Sequence, residues 1–172
     1  MKELNIGRLD RIRLWQGDSP LSATEPADRP ERGESTSVTL EWFGPRGGHF
    51  VYGLLGATLA KLDTPLAVRV ALAANIPLAG IATPVDAMDE LWTGLTPDFA
   101  RSVEQAALIA APHHLAGGLV VFDSAVHGRV GSSELVFSRL AVAVVQLLAL
   151  GARSTTDNHL VTLLNGTLLA SQ

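Results

Sequence analysis

Four residues of complementary chemistry, Glu41, Arg69, Asp123 and His127, fall on extended segments of this chain. In Ser37 to Phe43, Val38, Leu40 and Trp42 alternate with Thr39 and Glu41. In Leu66 to Ala73, Leu66, Val68, Val70 and Leu72 alternate with Ala67, Arg69, Ala71 and Ala73. In Leu119 to His127, parity groups Asp123, Ala125 and His127 against Phe122, Ser124 and Val126. Period-two alternation predicts three strands, each with a greasy side and a small or polar side. Packing the greasy sides turns the charged and alanine positions into one shared hollow. A carboxylate, a guanidinium and an imidazole there are what proton transfer on a bound anion needs. His127 is the expected acid or base, since its ordinary pKa lies near neutrality. Glu41 is its expected partner, because Asp123 lies four residues away along an extended strand and is too distant to orient the ring directly. Arg69 would anchor a carboxylate or enolate oxygen. The competing reading is a wet sheet face, on which mixed polar residues are ordinary.

Other chemistry-bearing residues give weaker patterns. Gly44 to His49 (GPRGGH) sits between a predicted strand and a predicted helix. Its backbone amides, with Arg46 and His49, form a candidate anion-binding or substrate-binding loop. It lacks phosphate-loop spacing, and a plain tight turn competes with that assignment. His113 and His114 are adjacent and have no third ligand spaced with them, so no metal site is expected. The chemistry proposed above requires no cofactor. Trp15, Trp42 and Trp92 are too scattered for a base-stacking platform and read as core or interface residues.

The elements that would position these residues follow from composition and punctuation. Gly17 to Thr36 is rich in Pro, Ser, Glu and Asp, and is expected to be a mobile loop within an N-terminal segment of residues 1–36. Within that segment Ile6 to Trp15 alternates imperfectly and reads as an edge strand. Residues 37–172 form the α/β body. A helix is predicted over Gly47 to Leu62, with Gly53, Gly56 or Ala57, and Ala60 as a small-residue stripe for close approach. Thr96 caps the next helix, Pro97 opens it and Pro112 is expected to stop it. Ser132 is expected to cap a helix over Leu135 to Leu150, with Glu134 complementing its dipole, and a last helix covers Asn158 to Leu169. The result is an α+β two-layer sandwich, a mixed four-stranded sheet with helices on one face. Leu135 to Leu150 is apolar nearly all round, so it needs cover on more than one side, from the glycine-bearing helix or from a second subunit. A homodimer is expected.

The stretch from Gly94 to Phe137 resembles domain IV of translation elongation factor G. The resemblance is carried by Gly94 and Pro97 opening a helix, Leu115-Ala116-Gly117 closing it, Val120-Val121 in a strand, and Val130-Gly131-Ser132-Ser133-Glu134-Leu135-Val136-Phe137 entering the next helix. It covers roughly half of the chain once Val68 to Pro77 and Ala87 to Thr96 are aligned with the family's second strand and the lead into its first helix. It implies the family's fold, and for function a ribosome-associated or RNA-binding module. The family's glycine-rich basic tip is replaced here by Lys61-Leu62-Asp63-Thr64-Pro65, and no GxxxxGK[ST] motif for a GTPase is present.

Composition decides between these functions. The chain has 172 residues, 47% of them hydrophobic, which is enough for a buried core. Its 13 basic against 17 acidic residues give a formal charge of −4, which disfavours nucleic acid. Without cysteine there are no disulfides or thiolate sites. The charged N-terminus MKELNIGRLDRIR is not a secretory signal. The run to Leu150 is broken by Arg139 and Gln146 and is too short to span a bilayer. A cytoplasmic location, with no membrane, is therefore expected. The leading expectation is a small-molecule-binding protein or a cofactor-independent acid-base lyase, isomerase or cyclase of a biosynthetic kind. The translation module and a non-catalytic dimerising partner subunit are the alternatives.

Overall fold

The computed structural model describes residues 1–17, 21, 35–46, 48–71, 76–78, 85, 88–151 and 156–169. The loop expected over residues 17–36 therefore lies almost wholly outside the described residues. The fold is α+β, with eight described strands and three described helices. The strands are β1 (Lys2–Ile6), β2 (Asp10–Gln16), β3 (Ser35–Arg46), β4 (His49–Ala60), β5 (Ala67–Val70), β6 (Ile76–Pro77), β7 (Leu91–Thr93) and β8 (Leu119–Gly128). The helices are α1 (Pro97–His114), α2 (Glu134–Leu150) and α3 (Asp157–Leu168).

The sheet order is β1-β2-β3-β4-β8-β7-β6, antiparallel throughout. The far edge of β8 is shared: β5 runs parallel along Leu119 to Phe122, and β7 runs antiparallel along Val126 to Gly128. The expected sheet had half as many strands. The segment Ile6 to Trp15 is a hairpin instead of one strand, turning at Gly7, whose φ of 57° suits glycine.

The larger correction concerns the helix expected over Gly47 to Leu62, because His49–Ala60 form strand β4. Its glycines are there for close approach, but across a sheet. On a strand, residues 53 and 56 point to opposite faces. A Cβ at Gly53 would lie 2.8 Å from Leu140 Cδ1 and 3.1 Å from Val136 Cγ1 of α2, while one at Gly56 would lie 2.5 Å from Thr39 Oγ1 on the other face. Valine at position 53 would wedge α2 off the sheet, and Gly53→Val is expected to destabilise the fold by about 1–3 kcal/mol. Urea denaturation reads that cost directly.

The main core lies between the sheet and the helices. Ile12, Leu14, Val38, Leu40, Leu55, Leu59, Val120 and Phe122 meet Val103, Ala107, Phe137, Leu140, Val144 and Leu164 there. Helix α2 is covered by β3 and β4 below and by α1 and α3 at its flanks. Its all-round apolarity is thus satisfied within one chain, which removes the reason for expecting a second subunit.

Local chemistry sets the helix ends. Thr96 accepts the Phe99 N–H and opens α1 with Pro97 next. Pro112 does not stop α1, which continues to His114, because a proline in the last turn forfeits only one intrahelical bond. Ser133, not Ser132, caps α2, accepting from Val136 N. Ser132 instead ties the turn to the sheet, accepting from Gly128 N and donating to the Tyr52 carbonyl. Helix α3 runs through Gly166 and docks its Leu160, Leu164 and Leu168 stripe inward. None of the described helices is long and apolar enough to cross a membrane.

Candidate functional site

The face of the sheet away from the helices is not an open hollow. Its half nearer β7 carries a second apolar core, in which Tyr52, Leu54, Leu91 and Val126 are buried with Val85, and Phe43, Phe50 and Leu78 pack against them. The other half is polar, and the strand register explains why. Ser37 of β3, Thr58 of β4, Val121 of β8 and Arg69 of β5 form one cross-strand rung. The adjacent rung is Thr39, Gly56 and Ser124. Between these rungs the pairing slips, because Ala57 faces Phe122 while Gly56 faces Ser124, which leaves Asp123 as an extra residue. This is a β-bulge in β8, of the kind that re-aims side chains beside functional sites.

The bulge gathers hydroxyls around one carboxylate. Asp123 Oδ2 accepts from Thr58 Oγ1 at 3.0 Å, and Oδ1 accepts from Ser124 Oγ at 3.1 Å. Ser37 Oγ lies 2.9 Å from Thr58 Oγ1. Ser37, Asp123 and Ser124 are half-buried, and Thr58 is buried. Gly56, which has no side chain, leaves room for the buried Thr39 side chain beside Ser124.

The bulge also separates two residues that parity had grouped. Beyond it the alternation inverts, so Ala125 joins the helix-side core and His127 points the same way. The His127 ring is buried, with Nδ1 2.9 Å from the Gly94 carbonyl, and stands edge-on to Phe99 at 5.6 Å between centroids. It is a satisfied core histidine on the face opposite Asp123, so the expected pairing of Glu41 with His127 is not formed. Glu41 is on the helix-free face but is committed to structure: Tyr52 Oη donates to its Oε1 at 3.0 Å, and the Arg13 guanidinium lies 3.3 Å from Oε2. Arg69 shares that face and is exposed.

The predicted anion loop also dissolves. Arg46 donates from both guanidinium nitrogens to Asp10, at 2.7 and 3.1 Å, and lies over the Trp42 ring at 5.8 Å. His49 starts β4 opposite Arg46 and is exposed. There is no helix N-terminus at this point, because the chain turns from strand to strand.

Comparison with family models, characterised proteins and solved structures finds no match to this chain. The site's chemistry therefore has to be read from its side chains. Among the described residues no group of three His, Asp or Glu side chains is placed to hold a metal ion. Of the residues proposed from sequence, Asp123 and Arg69 lie at the polar half of the face and Glu41 at its border. Ser37, Thr58 and Ser124 complete the cluster and were not anticipated. Thr58 fell within the segment read as a helix, and parity put Ser124 on the opposite side from Asp123.

Proposed function

We propose that this chain is a small-molecule-binding protein whose ligand sits on the polar half of the helix-free sheet face, on an α+β fold of the elongation factor G domain IV kind. The observation that carries the reading is the bulge at Asp123. It places a half-buried carboxylate in an interior strand of the sheet, ringed by the hydroxyls of Ser37, Thr58 and Ser124. Polar side chains that lose water at a sheet centre are costly unless satisfied, and a chain serving stability alone would fill such rungs with apolar residues. The fold part of the reading is supported by the succession α1, β8, α2, with β5 parallel to β8. Binding without acid-base catalysis is favoured because the imidazole and the Glu41 carboxylate are held on opposite faces by their own partners.

A screen of mixed small metabolites by protein-observed NMR tests the proposal. Binders are expected to shift the amides of Ser37, Thr58 and Ser124, and Asp123→Ala, folded by its circular dichroism, is expected to lose at least tenfold in affinity for them. Binders that shift only Ser35, Lys61 and His114, which line the groove of about 710 Å3 at the helix C-termini, would move the site there and overturn the proposal.

A further inference from the structure

The direction of the hydroxyl protons in this cluster defines the class of ligand it takes, an inference that rests on the binding site proposed above. A threonine hydroxyl carries one proton. That of Thr58 is committed to Asp123 Oδ2, so in the Ser37–Thr58 contact Thr58 must accept and Ser37 must donate. The Ser124 hydroxyl spends its proton on Asp123 Oδ1. Two of the three protons therefore go to the carboxylate, and the third, from Ser37, goes to the Thr58 oxygen. What the cluster turns toward a ligand is lone pairs only: those of Ser37 Oγ, Ser124 Oγ and the remaining acceptor positions of Asp123.

The charge balance points the same way. Asp123 is half-buried, and among the described residues its partners are two hydroxyls and no cation. Arg69, one strand away, makes an interaction of its own. Buried or partly buried charges are ordinarily paired, and hydrogen bonds to a charged partner are about twice as strong as neutral ones. An anionic ligand would meet like charge at Asp123, beside hydroxyls whose protons are already spent. A neutral polyol would supply donors and leave the charge uncompensated. We infer that the site takes a primary ammonium group on a small aliphatic or hydroxyalkyl body, whose three N–H donors match the carboxylate and the two outward-facing hydroxyl oxygens.

The test titrates the full chain with ethanolamine, 1,4-diaminobutane, glycerol and butyrate, following amide shifts by NMR. The two amines are expected to shift Ser37, Thr58 and Ser124 saturably, glycerol and butyrate at least tenfold more weakly. Asp123→Asn keeps the shape and removes the charge, and is expected to weaken amine binding at least tenfold. Ser37→Ala leaves the carboxylate and its other partners in place, so it keeps the test decisive where the asparagine variant does not fold, and is expected to weaken amines about threefold. Added salt should weaken the amines further. Glycerol or butyrate binding at these amides while the amines do not would leave the site standing and overturn the ammonium assignment. If none of the four probes shifts them, the ammonium assignment falls, and the metabolite screen alone decides whether the site stands.

Discussion

Replacing Phe137 with alanine is expected to cost about 3–5 kcal/mol of folding stability, a large part of what a domain of this size has to spare. Phe137 is fully buried on the inner side of α2, where three elements meet. Its ring stacks on Phe99 of α1 with centroids 4.9 Å apart and planes 28° apart, and Phe99 in turn takes the edge of His127 on β8. Below it lies Gly53 of β4, with Phe137 Cζ 3.6 Å from where a Cβ would stand. Alanine at 137 therefore leaves a cavity lined by α1, α2 and β4, none of which can close it alone, since each is anchored elsewhere. Urea denaturation should show a lower midpoint with an unchanged slope, as expected for lost packing in an intact fold. A loss under about 1 kcal/mol would mean that this junction is not packed as described. The polar cluster lies on the other face, so the variant's remaining folded fraction should bind ligand as the parent does.

Strands β3 and β5 were legible because each alternates apolar residues that face the helices with polar or small ones on the other side, and alternation is the direct record of that arrangement. Strand β4 was not, because from Tyr52 onward it is buried on both faces, so every position is apolar or small and the alternation disappears. Its glycines then mimicked a helical stripe, although in the fold they serve two different faces. The caps of α1 and α2 were legible to within one residue, since Thr96 and Ser133 act through backbone groups three positions away. The site was the hardest part to read. Parity is a local rule, and one residue inserted at Asp123 inverts every assignment after it, which sent His127 to the opposite face. A register slip between β4 and β8 is a property of two strands far apart in sequence, and neither strand announces it alone. For the same reason Asp10 drew no notice, since its partners lie 32 and 36 residues away.

Asp10→Ala is expected to be the second most damaging single change, lowering stability on the order of 3 kcal/mol. The side chain is buried, and three donors converge on it: Trp42 Nε1 at 2.7 Å, Arg46 Nη2 at 2.7 Å and Arg46 Nη1 at 3.1 Å. Removing the carboxylate strands an indole N–H in the core and leaves a guanidinium, about a third exposed, without its counter-charge. The backbone has been fitted to this carboxylate as well, because a Cβ at Gly44 would collide with Asp10 Oδ1. Asp10→Asn keeps the shape and an acceptor for Trp42 while losing the charge, so it should cost only about 1–2 kcal/mol. The difference between the two variants isolates the stranded donors from the lost ion pair. Salt provides an independent check: the asparagine deficit should shrink as ionic strength rises, since it is the partly exposed Arg46 contact that screening weakens, whereas the extra alanine deficit should not change. If both variants lose the same amount at every salt concentration, the buried Trp42 bond contributes nothing, and Asp10 holds the β2–β3 end of the sheet by charge alone.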